Sequence, residues 1–137
     1  MGELLTLHGR TDGTNTSGTV LLRSQVIVGS MNPDGTSVDG GAYRIQIPLG
    51  MKLKIWAIRA YGDVATKFTI KYCVYSPETG SETCRDVGEV SVGAQQFVEK
   101  RRPIVVENMA PIDYIKVDWS QSSAGNAVIE LDVEVTE

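Results

Sequence analysis

The chain holds one histidine, two cysteines and seventeen carboxylates, and any chemistry has to be found among them. His8 lies in a short apolar stretch with no Ser, Cys or carboxylate placed beside it in a recognisable motif. A nucleophile needs a nearby base to activate it, so a lone His in such surroundings reads as structural. Neither G-x-S-x-G nor S-x-x-K occurs. With a single His, a zinc or iron site would have to draw on scattered acids and on the two cysteines, which have another use. The carboxylates fall mostly on outward strand positions or in turns, where acids serve solubility rather than acid/base work. Neither glycine-rich tract, 9–18 or 29–41, has the spacing of a phosphate-binding loop, and no helix follows them. The expectation is a protein that is not an enzyme and has no metal and no cofactor.

Cys73 and Cys84 have a more definite reading. The sequence between them carries Pro77 and Gly80, strong turn residues, and reads as the tip of a β-hairpin. With the tip centred between Glu78 and Thr79, Cys73 falls opposite Cys84 and Lys71 opposite Asp86. Opposed residues of a non-hydrogen-bonded pair have Cα atoms about 4.5 Å apart, near enough for a disulfide. A one-residue bulge at the tip would misalign the pair and leave two reduced thiols. Such a bond is rare in a mesophile cytosol. It fits a virion component or a surface facing the extracellular space, or the interior of a hyperthermophile; without oxidation the location would be cytoplasmic.

The third chemical feature is charge layout. From Lys52 to Tyr75 the chain carries five positive charges and one negative, net +4, whereas from Ile112 to Glu137 it carries one positive and six negative, net −5. Lys52, Lys54, Trp56, Lys67 and Lys71 form an expected basic interaction patch; Glu130, Asp132 and Glu134 form an acidic interaction face. Trp56, Tyr75 and Trp119 are also candidates for a sugar-stacking platform, although a Trp is more often core or interface packing.

These residues are positioned by strands. Leu53, Ile55, Ala57 and Tyr61 alternate with Lys52, Lys54, Trp56 and Ile58, leaving Arg59 as a misfit. Phe68, Ile70, Tyr72 and Val74 alternate with Lys67, Thr69, Lys71 and Cys73. Gly62-Asp63 suits a two-residue hairpin turn, which would put Ile55 opposite Ile70 and Lys54 opposite Lys71 in a meander over 52–92. Like charges opposed in that way need counter-charges, and the acidic last strand, in the same subunit or a neighbour, would supply them. Ile115, Val117 and Trp119, then Ala127, Ile129, Leu131, Val133 and Val135, read as a closing hairpin around a 121–126 loop. Shorter strands are expected over 4–8, 19–28, 43–47 and 104–106. The 94–102 segment is a short helical turn or an irregular strand. Residues 9–18 read as a flexible loop or N-terminal arm.

The sum is an all-β fold: a two-sheet β-sandwich of jelly-roll or Greek-key type, with about eight or nine strands, and an immunoglobulin-like sandwich as runner-up. At 137 residues one domain, 1–137, is expected. Net charge −4 and a pI near 5.0 disfavour nucleic acid. No run of about twenty apolar residues and no signal-peptide pattern appear, so no membrane partner and no signal-driven export are expected. Met1-Gly2-Glu3-Leu4-Leu5-Thr6 matches a myristoylation pattern by chance alone, with no polybasic second anchor. Asn15-Thr16-Ser17 matches a glycosylation acceptor, and the Asp12 and Asn15 loop lacks calcium-site spacing.

Two functional expectations follow. One is a structural assembly protein that forms homo-oligomers and coats a larger protein shell, as a virion capsid or capsid-decoration protein does. The other is a carbohydrate-binding β-sandwich module.

Overall fold

The computed structural model describes residues 4–20, 23–24, 45–46, 52–76, 78–107 and 114–136. Eleven strand segments are present among the described residues: β1 (Leu4–Arg10), β2 (Ser17–Val20), β3 (Arg23–Ser24), β4 (Ile45–Gln46), β5 (Lys52–Gly62), β6 (Thr66–Ser76), β7 (Ser81–Val92), β8 (Gln96–Lys100), β9 (Ile104–Glu107), β10 (Tyr114–Gln121) and β11 (Ala127–Thr136). β3 and β4 are two-residue segments, leaving nine strands of four residues or more. The expected loop over 29–41 lies outside the described residues.

The strands form two antiparallel sheets. Sheet I runs β3-β1-β11-β5-β8, with β9 also on β5; sheet II runs β2-β10-β6-β7, with β4 also on β10. Among the described segments only β6–β7 and β8–β9 are consecutive within one sheet, and the other successive segments change sheet. Interleaving of this kind rolls the chain around one core, as in a jelly roll.

This corrects two expected pairings. β5 and β6 do not form a hairpin: β5 lies between β11 and β8/β9, while β6 lies between β10 and β7. β10 and β11 are likewise in different sheets. Ile55 therefore pairs with Val133 and Ile104, and Lys54 with Glu134 and Val105. Lys71 pairs with Lys116 and Asp86. Residues 63–65 make an arch instead of a turn. Gly62 is buried as the last residue of β5, and a Cβ there would lie 2.6 Å from the Val64 carbonyl oxygen, so only glycine allows the chain to bend this closely.

The alternation holds in β10 and β11 and over Phe68–Tyr72, but Cys73 is buried and Val74 exposed, and in β5 Ile58 is buried and Tyr61 exposed, the reverse of the expected faces. Phe68, Ile70 and Tyr72 from β6, Ile115, Val117 and Trp119 from β10, and Ile129, Leu131 and Val133 from β11 fill the space between the sheets with Leu7, Val20, Leu53 and Ile55. Trp119 packs against Gly18, whose hypothetical Cβ would sit 3.0 Å from the indole; it is core and not a surface platform.

The β1–β2, β5–β6, β7–β8 and β10–β11 connections gather at one end. Thr11 closes that end: its hydroxyl donates to the Gly125 carbonyl at 3.0 Å and accepts from the Ala127 amide at 3.0 Å, while its own amide donates to the Ala127 carbonyl. Gln121 donates from Nε2 to the Thr11 and Thr66 hydroxyls, joining the two sheets. Asp12 caps the β1–β2 loop, accepting from the Thr14 and Asn15 amides and the Asn15 side chain, which holds its carboxyl down to about 2. The expected arm over 9–18 is thus the end of β1, a capped loop and the start of β2.

Candidate functional site

The outer face of sheet I carries Lys52, Lys54, Trp56, Glu130, Asp132 and Glu134 of the residues singled out by the sequence, and a β-bulge decides how they are aimed. Asp132 of β11 pairs with Ala57 and Val133 with Ile55, so Trp56 is an extra residue in β5. A bulge reverses the phase of the strand beyond it. Before it Leu53 and Ile55 point inward; after it Ile58 and Ala60 do, which puts Arg59 and Tyr61 outward. Arg59, out of place under strict alternation, lands among the acids of β11.

Its guanidinium is the hub of the face. Nη1 and Nη2 each donate to Asp132 at 2.8 Å, Nε donates to Glu130 at 3.0 Å, and Glu99 of β8 lies at 4.0 Å. Thr6 of β1 donates its hydroxyl to Asp132 at 3.0 Å. These donors hold the Asp132 carboxyl below the usual carboxylate range, Arg59 first and Thr6 after it, against the opposing effect of partial burial. The Arg59 pKa is raised by the same hydrogen bonds.

At the other end of the face, Glu134 accepts from Trp56 Nε1 at 3.2 Å, and Lys54 Nζ stands 4.5 Å from the centre of the Trp56 ring. Trp56, Ala57, Arg101, Asp132 and Glu134 line an open groove of about 560 Å³. The bulge makes this groove. Trp56 and Ala57 together oppose Asp132, and neither pairs with β8 or β9, because the edge strand is interrupted there by residues 101–103. Arg101 bonds Glu99 at 2.8 Å, which raises its pKa further.

Apolar residues complete the face. Val128, Tyr61 and Phe97 form one continuous cross-strand row, with Arg10 at its β1 end. With Trp56 and Val105 they make five of the six exposed large hydrophobics among the described residues; only Val74 lies elsewhere.

The structure divides the expected basic patch. Lys52, Lys54 and Trp56 are on β5 of sheet I, while Lys67 and Lys71 are on β6 of sheet II, where Lys67 pairs with Glu89 at 3.2 Å and Lys71 with Asp118 at 3.2 Å. The acidic trio is brought together; Arg59 of the same chain is the counter-charge for Glu130 and Asp132, while Glu134 has Lys54 as its cross-strand neighbour and accepts from the Trp56 N–H. The residues that pattern-reading missed are Arg59, Tyr61, Phe97 and Val128. Their only sequence signal is the Arg59 misfit, which marks the bulge.

Cys73 and Cys84 are bonded, S–S 2.04 Å, at opposed positions of the β6–β7 hairpin, and Lys71 is opposite Asp86. β6–β7 does contain a register shift, but between Ile70 and Lys71, on the side of the disulfide away from the tip. The pair therefore stays aligned. Glu82 lies near both sulfurs, but sulfurs bonded to each other offer no thiolate to a metal. His8 sits on β1 opposite Glu130 and Arg23. No helix of the described residues is long and apolar enough to cross a membrane.

No protein-family model and no curated protein matches the chain. Among solved structures it is similar to murine APRIL at 11% identity, covering 95% of this chain and 99% of that one, TM-score 0.49. It is also similar to the CBM22-1 xylan-binding domain of Paenibacillus barcinonensis Xyn10C, at 10% identity, 98% and 94% coverage and TM-score 0.48. Against a Clostridium thermocellum Xyn10B chain with CBM22-1 and GH10 modules it has 15% identity and TM-score 0.43, and spans 26% of that chain. Likenesses this distant assign no residue a role.

Proposed function

We propose that the protein is a non-enzymatic structural protein that assembles with copies of itself, as a virion capsid or capsid-decoration component does. The observation that carries this reading is the concentration of exposed large hydrophobics on the outer face of sheet I. Apolar residues grouped on one face mark an interaction surface, whereas single scattered ones do not. The charges on that face support the same reading. Arg59, Glu130 and Asp132 already bond one another, so covering them leaves no ion without a partner, which is the main penalty in burying charge. The Cys73–Cys84 bond suits a protein that works outside a reducing cytosol. Light scattering on the purified protein tests the reading: a mass that rises with concentration to a defined multiple of 14.9 kDa supports it, and a monomer at every concentration counts against it.

A second reading, a carbohydrate-binding module, is favoured by the groove, where an aromatic ring, two carboxylates and Arg101 converge. Against it, Lys54 already stands over the Trp56 ring and Glu134 already takes its N–H. Polysaccharide binding that is lost in Trp56→Ala would favour the module.

A further inference from the structure

At the centre of its outer face sheet I presents two adjacent stripes of opposite charge. β11 carries Glu130, Asp132 and Glu134; its neighbour β5 carries Lys52, Lys54 and Arg59. We infer that two copies of the chain stack these faces on one another about a two-fold axis that runs parallel to the strands, between β11 and β5. This inference rests on the self-assembly reading above and specifies its interface.

The geometry follows from the register. Such an axis reverses the order of strands across the face but keeps each cross-strand row at its own height, so every row meets itself turned end for end. The row Glu134–Lys54 then places each Glu134 over Lys54 of the second copy. The row His8–Glu130–Arg59–Glu99 places Glu130 over Arg59 of the second copy. The row Arg10–Val128–Tyr61–Phe97 places Val128 over Tyr61 and Arg10 over the Phe97 ring, a cation–π arrangement. The other two-fold axis lying in the interface, perpendicular to the strands, would stack β11 on β11 and set three acids against three acids. A closed pair needs one self-complementary surface, and only the first axis makes this face self-complementary. Neighbouring strands are about 4.8 Å apart with a rise of about 3.3 Å per residue, so four strands by eight residues present a face of about 500 Å² in projection. Two such faces make about 1,000 Å², below the standard stable class and in the range of weak encounters, so the pair is reversible and concentration-dependent.

The test uses two charge reversals in the full chain. Lys54→Glu sets Glu against Glu134 of the second copy, and Glu134→Lys sets Lys against Lys54. Each variant alone should self-associate at least about tenfold more weakly than the parent, since like charges opposed across an interface repel. An equimolar mixture should recover association as a one-to-one heterodimer, because both contacts are then complementary. Native mass spectrometry and sedimentation velocity read this directly, with melting curves showing that each variant is folded. Damage within one chain could not be repaired by mixing. Parent-like self-association of both variants, or a mixture of folded chains that fails to pair, overturns this interface and leaves assembly through another surface standing. A parent chain that is monomeric throughout overturns both the interface and the assembly reading.

Discussion

Replacing Asp132 by Asn tests the reading of the Arg59 hub, and its size can be worked from the contacts. Asp132 accepts both terminal guanidinium nitrogens of Arg59 at 2.8 Å and the Thr6 hydroxyl at 3.0 Å. Asn keeps the shape but replaces one accepting oxygen by a donor facing a donor and removes the charge. Hydrogen bonds to charged groups contribute roughly 1.5–3 kcal/mol. The two side chains are 21% and 22% exposed and Arg59 retains Glu130, so the lower part of that range applies, about 1.5–2 kcal/mol. At this chain length each kcal/mol moves the Tm by about 4 °C, giving a drop of about 6–8 °C at pH 7. The pH dependence has a definite sign. The folded-state carboxyl titrates below its unfolded value of about 3.9. Its contribution is therefore complete above that pH and is lost as pH falls through the lower, folded value. The gap between parent and Asp132→Asn, followed by thermal melts from pH 7 to about pH 2, should be constant down to about pH 4 and then close. Equal Tm values at pH 7, or a gap that persists unchanged at about pH 2, would refute the reasoning.

Other consequences are equally measurable. Reduction of Cys73–Cys84, or the double change to Ser, should lower stability by about 2–3 kcal/mol, the loop-entropy value for a closure of this length, in denaturant titrations matched for pH. Intact-mass analysis with alkylation of the untreated, denatured chain should find no free thiol; two alkylated sites would remove the bridge and the compartment reasoning with it. Gly62→Ala should destabilise by about 1–3 kcal/mol through overpacking against the Val64 carbonyl and Val92, whereas Gly80→Ala, which meets open space, should cost about 1–2 kcal/mol through its positive φ alone. A parent-like melt for Gly62→Ala would mean that the β5–β6 arch relaxes freely.

The sequence made strands legible and left their partners hidden, for a physical reason. Alternation reports which side of a strand is buried, and the side chains of Phe68–Tyr72 and Ile115–Trp119 fall where that rule puts them, whereas Cys73 and Val74 reverse it. Both β5 and β6 present apolar residues to one shared core, so a hairpin and an arch between them leave the same trace in sequence. Gly62-Asp63 favours a hairpin on sequence alone because a buried glycine that allows a sharp crossing has the same signature as a turn glycine. The β6–β7 hairpin was readable because its turn residues and the two cysteines agree on a single register. At the site, Glu130, Asp132 and Glu134 could be seen as one face from the last strand alone. Arg59, Tyr61 and Phe97 could not join them until the extra residue at Trp56 was known, since a bulge shifts the phase without any composition signature.

The central claim is self-association through the outer face of sheet I, and sedimentation equilibrium of the parent chain over a wide concentration range at two salt strengths tests it most directly. The account predicts a reversible rise from 14.9 kDa toward twice that mass, weakened by salt because part of the attraction is between opposed charges. A mass fixed at 14.9 kDa from the lowest to the highest concentration, at low salt, would contradict it.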